Sequence, residues 1–152
     1  MADGSRLVLS VVGLGAYKDL PVRATLRRWV SMALEREAQV CLVFAGAAQG
    51  RRLNREFRGR DYATNVLTFS YRLRPEVVAD VVLCVPVLRR EARAAGRSLR
   101  AHLAHLVIHG VLHAQGYEHE RGGRAARRMQ DREIALLARL RIANPYAEVT
   151  TS

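Results

Sequence analysis

The chain has 152 residues, 49% of them hydrophobic, with two cysteines and a formal net charge of +11 from 25 basic and 14 acidic residues. That length suits one domain and that apolar fraction builds a core without disulfide staples, which excludes a disordered chain, a collagen-like fibre and a disulfide mini-protein. No run reaches the ~18–20 apolar residues of a membrane helix, and Met1 to Ser5 lack the basic start and apolar block of a secretory signal, so a cytoplasmic protein without membrane contact is expected.

In chain order, Leu7 to Val12 reads as a strand closed by Gly13 and Gly15. Pro21 can open a helix at its first position with Asp19 near the cap, and Val22, Leu26, Trp29, Val30 and Leu34 recur at helical spacing. Val40 to Ala45 is a second strand. Cys41 and Cys84 each sit in an apolar run and read as buried free thiols of a reducing compartment. Ala47 to Phe57 is a short arginine-rich helix anchored by Leu53 and Phe57. The turn Arg58-Gly59-Arg60-Asp61 leads to a third strand, Asn65 to Phe69, and Val81 to Val85 is the fourth. Pro86 starts a helix that Gly96 ends. Ser98 caps the next, which runs to about Gln115 and stops at Gly116. A last amphipathic helix covers roughly Arg124 to Arg141, with Met129, Ile134, Leu137 and Leu140 inward, and the tail from Asn144 is expected to fray. Strands and helices alternate without strict βαβ regularity. The expectation is therefore a single α/β (α+β) domain over residues 1–152, with a small mixed sheet of about four strands and helices packed around it.

The helix from Ser98 to Gln115 is apolar on nearly every face, so it belongs in the middle of the fold. Its substantial polar residues past Arg100 are histidines, and polar groups in such a place need partners. All five histidines of the chain, His102, His105, His109, His113 and His119, are close in sequence. The four helical ones share a stripe roughly 80° wide. His109 and His113 are an i,i+4 pair able to grip one ion from adjacent turns. Gly116 can reverse the chain and return His119 as a third ligand. His105 and His109 share the same spacing, but His105 lies ~12 Å along the axis from His113, too far for one ion to use both. The turn at Gly116 therefore selects His109, His113 and His119. His105 is left to packing or to support behind the ligands, and His102 to solvent.

Three neutral imidazoles leave a divalent metal, one per chain, its full charge and an open position, the pattern of a catalytic rather than a structural site. Helical metalloproteases place a glutamate directly after the first histidine. Here that residue is Gly110, so the peptidase reading loses its base. Glu118 and Glu120 flank His119 and either assist or are solvated surface carboxylates. All but one of the basic residues are arginine, Lys18 being the exception. That excess fits a polyanionic partner such as nucleic acid, although codon bias produces the same composition.

The run His109-Gly110-Val111-Leu112-His113-Ala114-Gln115-Gly116-Tyr117-Glu118-His119 resembles the signature of the YbeY family of bacterial single-strand-specific metallo-endoribonucleases. Leu53-Asn54 with Phe57-Arg58-Gly59-Arg60-Asp61, Thr64 to Phe69, and Ala79 to Cys84 are similar to further family blocks, so the likeness spans about residues 40–120. The resemblance implies a zinc ion, or another divalent metal, on His109, His113 and His119, with Arg58 as the functional arginine of the adjacent cleft. It implies cleavage of single-stranded RNA in ribosomal RNA maturation, including small-subunit rRNA processing, and in ribosome quality control, with the ribosome or ribosomal proteins as partners. Arg51, Arg52, Arg55 and Arg60 would hold an RNA backbone, or simply form an exposed helix face. Where the family commonly has proline, Ala63 and Ser70 stand here, which bears on how Arg58 is positioned. The rival readings are a non-catalytic, metal-stabilised assembly factor and a metal hydrolase of another substrate class.

Overall fold

The computed structural model describes residues 6–118 and 122–147. Strands β1 (Leu7–Val12), β2 (Ala38–Ala45), β3 (Val66–Arg72) and β4 (Val77–Cys84) form one sheet in the order β1-β2-β4-β3. The first three in that order run parallel, and β3 is antiparallel to β4. Five helices accompany the sheet: α1 (Arg23–Ala33), α2 (Ala47–Arg58), α3 (Val85–Ala94), α4 (Leu99–Ala114) and α5 (Gly123–Arg139). The expected mixed four-stranded α+β fold is present.

Alternation along the strands sorts the two faces. Leu7 and Leu9 of β1, Val40 and Leu42 of β2, and Val81 and Leu83 of β4 join the main core with α1 and α4, while Val8 and Val12 stay exposed. A smaller cluster of Ala45, Leu67 and Val82 lies on the other face, where Leu53 of α2 packs. Burial raises the pKa of both free thiols, Cys84 being buried and Cys41 half-buried.

Four elements differ from expectation. Helix α1 begins at Arg23 behind an extended Val22, with no side-chain cap. Asp19 instead makes a two-pronged ion pair with Arg89 of α3 at 2.6 and 2.9 Å. The third and fourth strands are longer than their apolar centres, because a four-residue connection folds them into a hairpin whose ladder extends through polar positions. On α5 the buried residues are Met129, Glu133, Leu136 and Leu137, and Ile134 is only half-buried. The tail is tied at Tyr146, whose hydroxyl donates to Glu133 of α5 at 2.8 Å, and the residues after 147 are outside those described.

Helix α4 is the centre. It contacts α1, α3, α5, β3 and β4, and eleven of its residues are buried. Ser98 Oγ caps it by accepting from the Ala101 N–H at 3.0 Å. At its far end Gln115 is saturated. Its amide donates to the carbonyls of Ala33 (2.8 Å) and Val111 (3.1 Å), and its Oε1 accepts from the Glu35 N–H at 2.8 Å. Gly116 follows at φ 101°, the left-handed turn that reverses the chain. Gly110 faces the sheet. A Cβ there would stand 2.6 Å from Val81 Cγ1, which is why this position carries glycine and why no glutamate can follow His109.

Gly110→Ala should therefore destabilise the protein by about 1–3 kcal/mol, overpacking outweighing alanine's better helix propensity. Urea denaturation should also show Val81→Ala partly rescuing it in the double variant. A stabilising Gly110→Ala would contradict the close approach of α4 to β4.

Candidate metal centre and its cleft

Each histidine of α4 meets a partner from outside the helix, His105 and His109 sharing one. His102, 9% exposed, is within 2.9 Å of Glu91 Oε1 on α3 through Nε2, so it is held in the fold rather than turned to solvent. The Asn65 side-chain amide donates to the same carboxylate at 3.1 Å. His105 meets Glu133 of α5, Nε2 to Oε1 at 2.6 Å, and His109 meets it through Nδ1 at 3.3 Å from Oε2. The Tyr146 hydroxyl donates to Oε1 at 2.8 Å. The His113 Nδ1–H donates to the Tyr117 carbonyl at 2.8 Å, across the turn at Gly116.

Glu133 is the residue that sequence reasoning missed. Its carboxylate is 1% exposed. Burial raises its pKa, but the hydrogen bonds from His105, His109 and Tyr146 outweigh burial and hold it at about 2. The carboxylate is thus ionised across the working range and accepts from all three donors. Burial, and then this carboxylate, push the Tyr146 phenol well up, so it stays a donor. With Nε2–H of His105 committed to Glu133, its buried Nδ1 is a lone pair without a partner among the described residues, a lesser cost than an orphaned donor. The missed signal was legible: Met129, Glu133, Leu136 and Leu140 fall at helical spacing, with a carboxylate inside the apolar stripe.

Two sets of donors compete for a metal. His105, His109 and Glu133 offer three atoms within 4.8 Å of one another. The His105–His109 and His109–His113 rings are about equally spaced, with centroids 6.2 and 6.4 Å apart. Hydrogen bonding separates the sets. Two ligands of one tetrahedral zinc lie about 3.3 Å apart, given metal–ligand bonds of ~2.0–2.1 Å. The 2.6 Å between His105 Nε2 and Glu133 Oε1 is a hydrogen bond. In His109 and His113, Nδ1 is the nitrogen engaged, by a carboxylate and by a carbonyl, the kind of support found behind histidines that bind metals through Nε2. His119 and Glu120 lie outside the described residues.

His109 and His113 line a cleft of about 400 Å³ together with Arg58, Arg60, Asn54, Tyr62 and Asn65. Arg58, the last residue of α2, donates to the Thr68 carbonyl at 2.9 Å, and its guanidinium lies 5.9 Å from the Phe69 ring centroid. Ser70 donates from its hydroxyl to the Ala114 carbonyl at 3.1 Å, stitching β3 to the end of α4. No carboxylate lines the cleft among the described residues. Glu118 borders a different pocket with Glu35 and Arg128. Arg51 and Arg55 are directed to Asp61 at 2.8 and 3.7 Å, so that carboxylate partly neutralises them, whereas Arg60 borders the cleft.

Residues 17–141 match the family profile described as Endoribonuclease YbeY. An endoribonuclease YbeY of Polaromonas sp. strain JS666 is 50% identical over 134 residues, 88% of this chain and 87% of its own. One from Burkholderia pseudomallei strain K96243 is 50% identical over 137 residues, 89% of this chain and 74% of its own. The solution structure of a Thermotoga maritima protein matches with a TM-score of 0.60 at 22% identity, covering 93% of this chain and 100% of that one, a likeness of fold.

Tyr146→Phe removes one of three donors to a buried anion and should cost about 1–3 kcal/mol in denaturant unfolding. No change would mean that the tail does not anchor Glu133.

Proposed function

The chain belongs to the Endoribonuclease YbeY family, and on that premise we propose that it is a metal-dependent endoribonuclease that cuts single-stranded RNA in the cleft between α2, β3 and α4. His109, His113 and His119 hold one zinc ion, or another divalent cation. The observation that carries this reading is the pairing of two histidines, each with Nδ1 engaged from behind, with Arg58 in the same cleft. When bound, the cation supplies Lewis acidity toward a phosphoryl oxygen and a nucleophile from water at neutral pH.

The chain's own residues do the rest. Glu133 and the Tyr117 carbonyl fix the tautomer and orientation of the two described ligands. Arg58, braced by the Thr68 carbonyl, neutralises charge that develops on the phosphoryl oxygens as the P–O bond breaks. Arg60 contributes positive charge at the mouth. The substrate is ribosomal RNA in small-subunit maturation and quality control, with the ribosome as partner in the cytoplasm. No described helix is long and apolar enough to cross a membrane.

The experiment is cleavage of a labelled single-stranded RNA with metal content determined on the same samples. His113→Ala should lose metal and cleavage together. Arg58→Ala should keep its metal and lose about 10²–10³-fold in kcat, the scale for removing one donor to a developing oxyanion. Glu133→Gln should weaken metal affinity about 10–100-fold. Metal lost in His105→Gln but kept in His113→Ala would move the ion to the triad of His105, His109 and Glu133. Bound metal with no cleavage by any variant would leave a metal-stabilised assembly factor.

A further inference from the structure

The pocket at the opposite end of α4 from the cleft has about 610 Å³ and is lined by Arg28, Arg97, Arg100, Arg139 and Arg141, with no acidic residue among its walls. It shares no lining residue with the cleft. The five guanidinium groups come from α1, from the entry and first turn of α4, and from the end of α5. Some arginines elsewhere are matched by carboxylates, as in Arg51 with Asp61, Arg72 with Glu76 and Arg89 with Asp19. Among the described residues none of these five makes an ion pair. Nη2 of Arg97 is buried without a hydrogen-bond partner. Arg97 also borders a neighbouring pocket lined by Glu91, His102 and His105.

Two further features shape what the pocket binds. The first turn of α4 brings the positive end of a sixteen-residue helix to the wall. Arg100 is braced over Trp29, 5.5 Å from the ring centroid, and Trp29 is only 2% exposed. The pocket thus offers fork-shaped phosphate donors but no aromatic face on which a base could stack. Arg141 is the only described non-glycine residue held at positive φ, 62°, a conformation that arginine adopts at a cost and that sets it at this rim.

We propose that this pocket is a second RNA-binding site, which grips the phosphate backbone of a strand whose scissile segment lies in the cleft. Arg100 and His109 are about 13–14 Å apart along the axis of α4 and about 180° apart around it, so a strand engages both sites only when it is long enough to wrap round the fold. The second site reads no bases, because phosphate contacts position a strand without carrying sequence information. It raises affinity for long strands and leaves the chemistry at the cleft unchanged. This inference rests on the RNA reading of the cleft.

The test compares KM, kcat and the salt dependence of KM for a long single strand and for a strand too short to leave the cleft. The proteins are wild type, Arg28→Gln alone, and the triple variant Arg28→Gln/Arg139→Gln/Arg141→Gln, each changing only exposed residues. A control carries Arg36→Gln/Arg72→Gln, which removes charge elsewhere. On the long strand the triple variant should raise KM on the order of 10-fold and flatten the slope of log KM against log salt by about 0.7 for each phosphate no longer neutralised. Arg28→Gln should do so in part, and the short strand should be cut as by wild type. Identical long-strand behaviour of wild type and variants would overturn the second site alone. So would an equal loss on both strands, or an equal loss in the control. Failure of the wild-type protein to act on either strand would overturn the RNA reading and this inference with it.

Discussion

A helix buried on nearly every side can carry polar side chains only where other elements come to meet them, and α4 carries four histidines. Much of the arrangement around it follows from that constraint. Helix α3 brings Glu91 to His102, α5 brings Glu133 to His105 and His109, the tail brings Tyr146 to Glu133, and the turn at Gly116 brings the Tyr117 carbonyl to His113. Glu133 is the most demanding of these groups, since an ionised carboxylate at 1% exposure persists only with its oxygens engaged. Three donors from α4 and the tail engage them. The same contacts hold the imidazole of His109 in one tautomer, so the interaction that makes the core tolerable also orients a side chain of the cleft.

Close packing imposes the second condition. The helix lies so near β4 that residue 110 has no room for a side chain, and this separates the site from helical metalloproteases, whose base occupies that position. The cleft has no described carboxylate of its own. Its positive groups, Arg58 and Arg60, share that cleft with His109 and His113 of α4, an arrangement suited to a substrate that is itself an anion.

The distribution of arginine matters more than its abundance. Near the cleft, Asp61 partly cancels Arg51 and Arg55, which sequence alone leaves as backbone contacts or a solvated face. At the far end of α4, five arginines distant in sequence converge without a carboxylate. Net charge announces a polyanionic partner, but only the folded chain shows which arginines remain to meet it.

The sequence by itself determined the elements and the chemistry whose signals are local. Helical periodicity, the Ser98 cap and the glycine turn defined α4, and the spacing of His109 and His113 on it, with His119 beyond the turn, pointed to a metal. The matched motifs pointed to Arg58 and to RNA. Only the tertiary structure decided what depends on residues far apart in the chain. It closed β3 and β4 into a hairpin beyond their apolar centres. It took Asp19 from the helix cap to Arg89, and it set a carboxylate from α5 beneath two histidines of α4. It also gathered the arginines of α1, α4 and α5 into one pocket. The reason is physical. A cap or a heptad-like stripe is read along a few residues of one helix. The partner of a buried charge is whichever group the packing of separate elements brings within about 3 Å, and no local pattern records that distance.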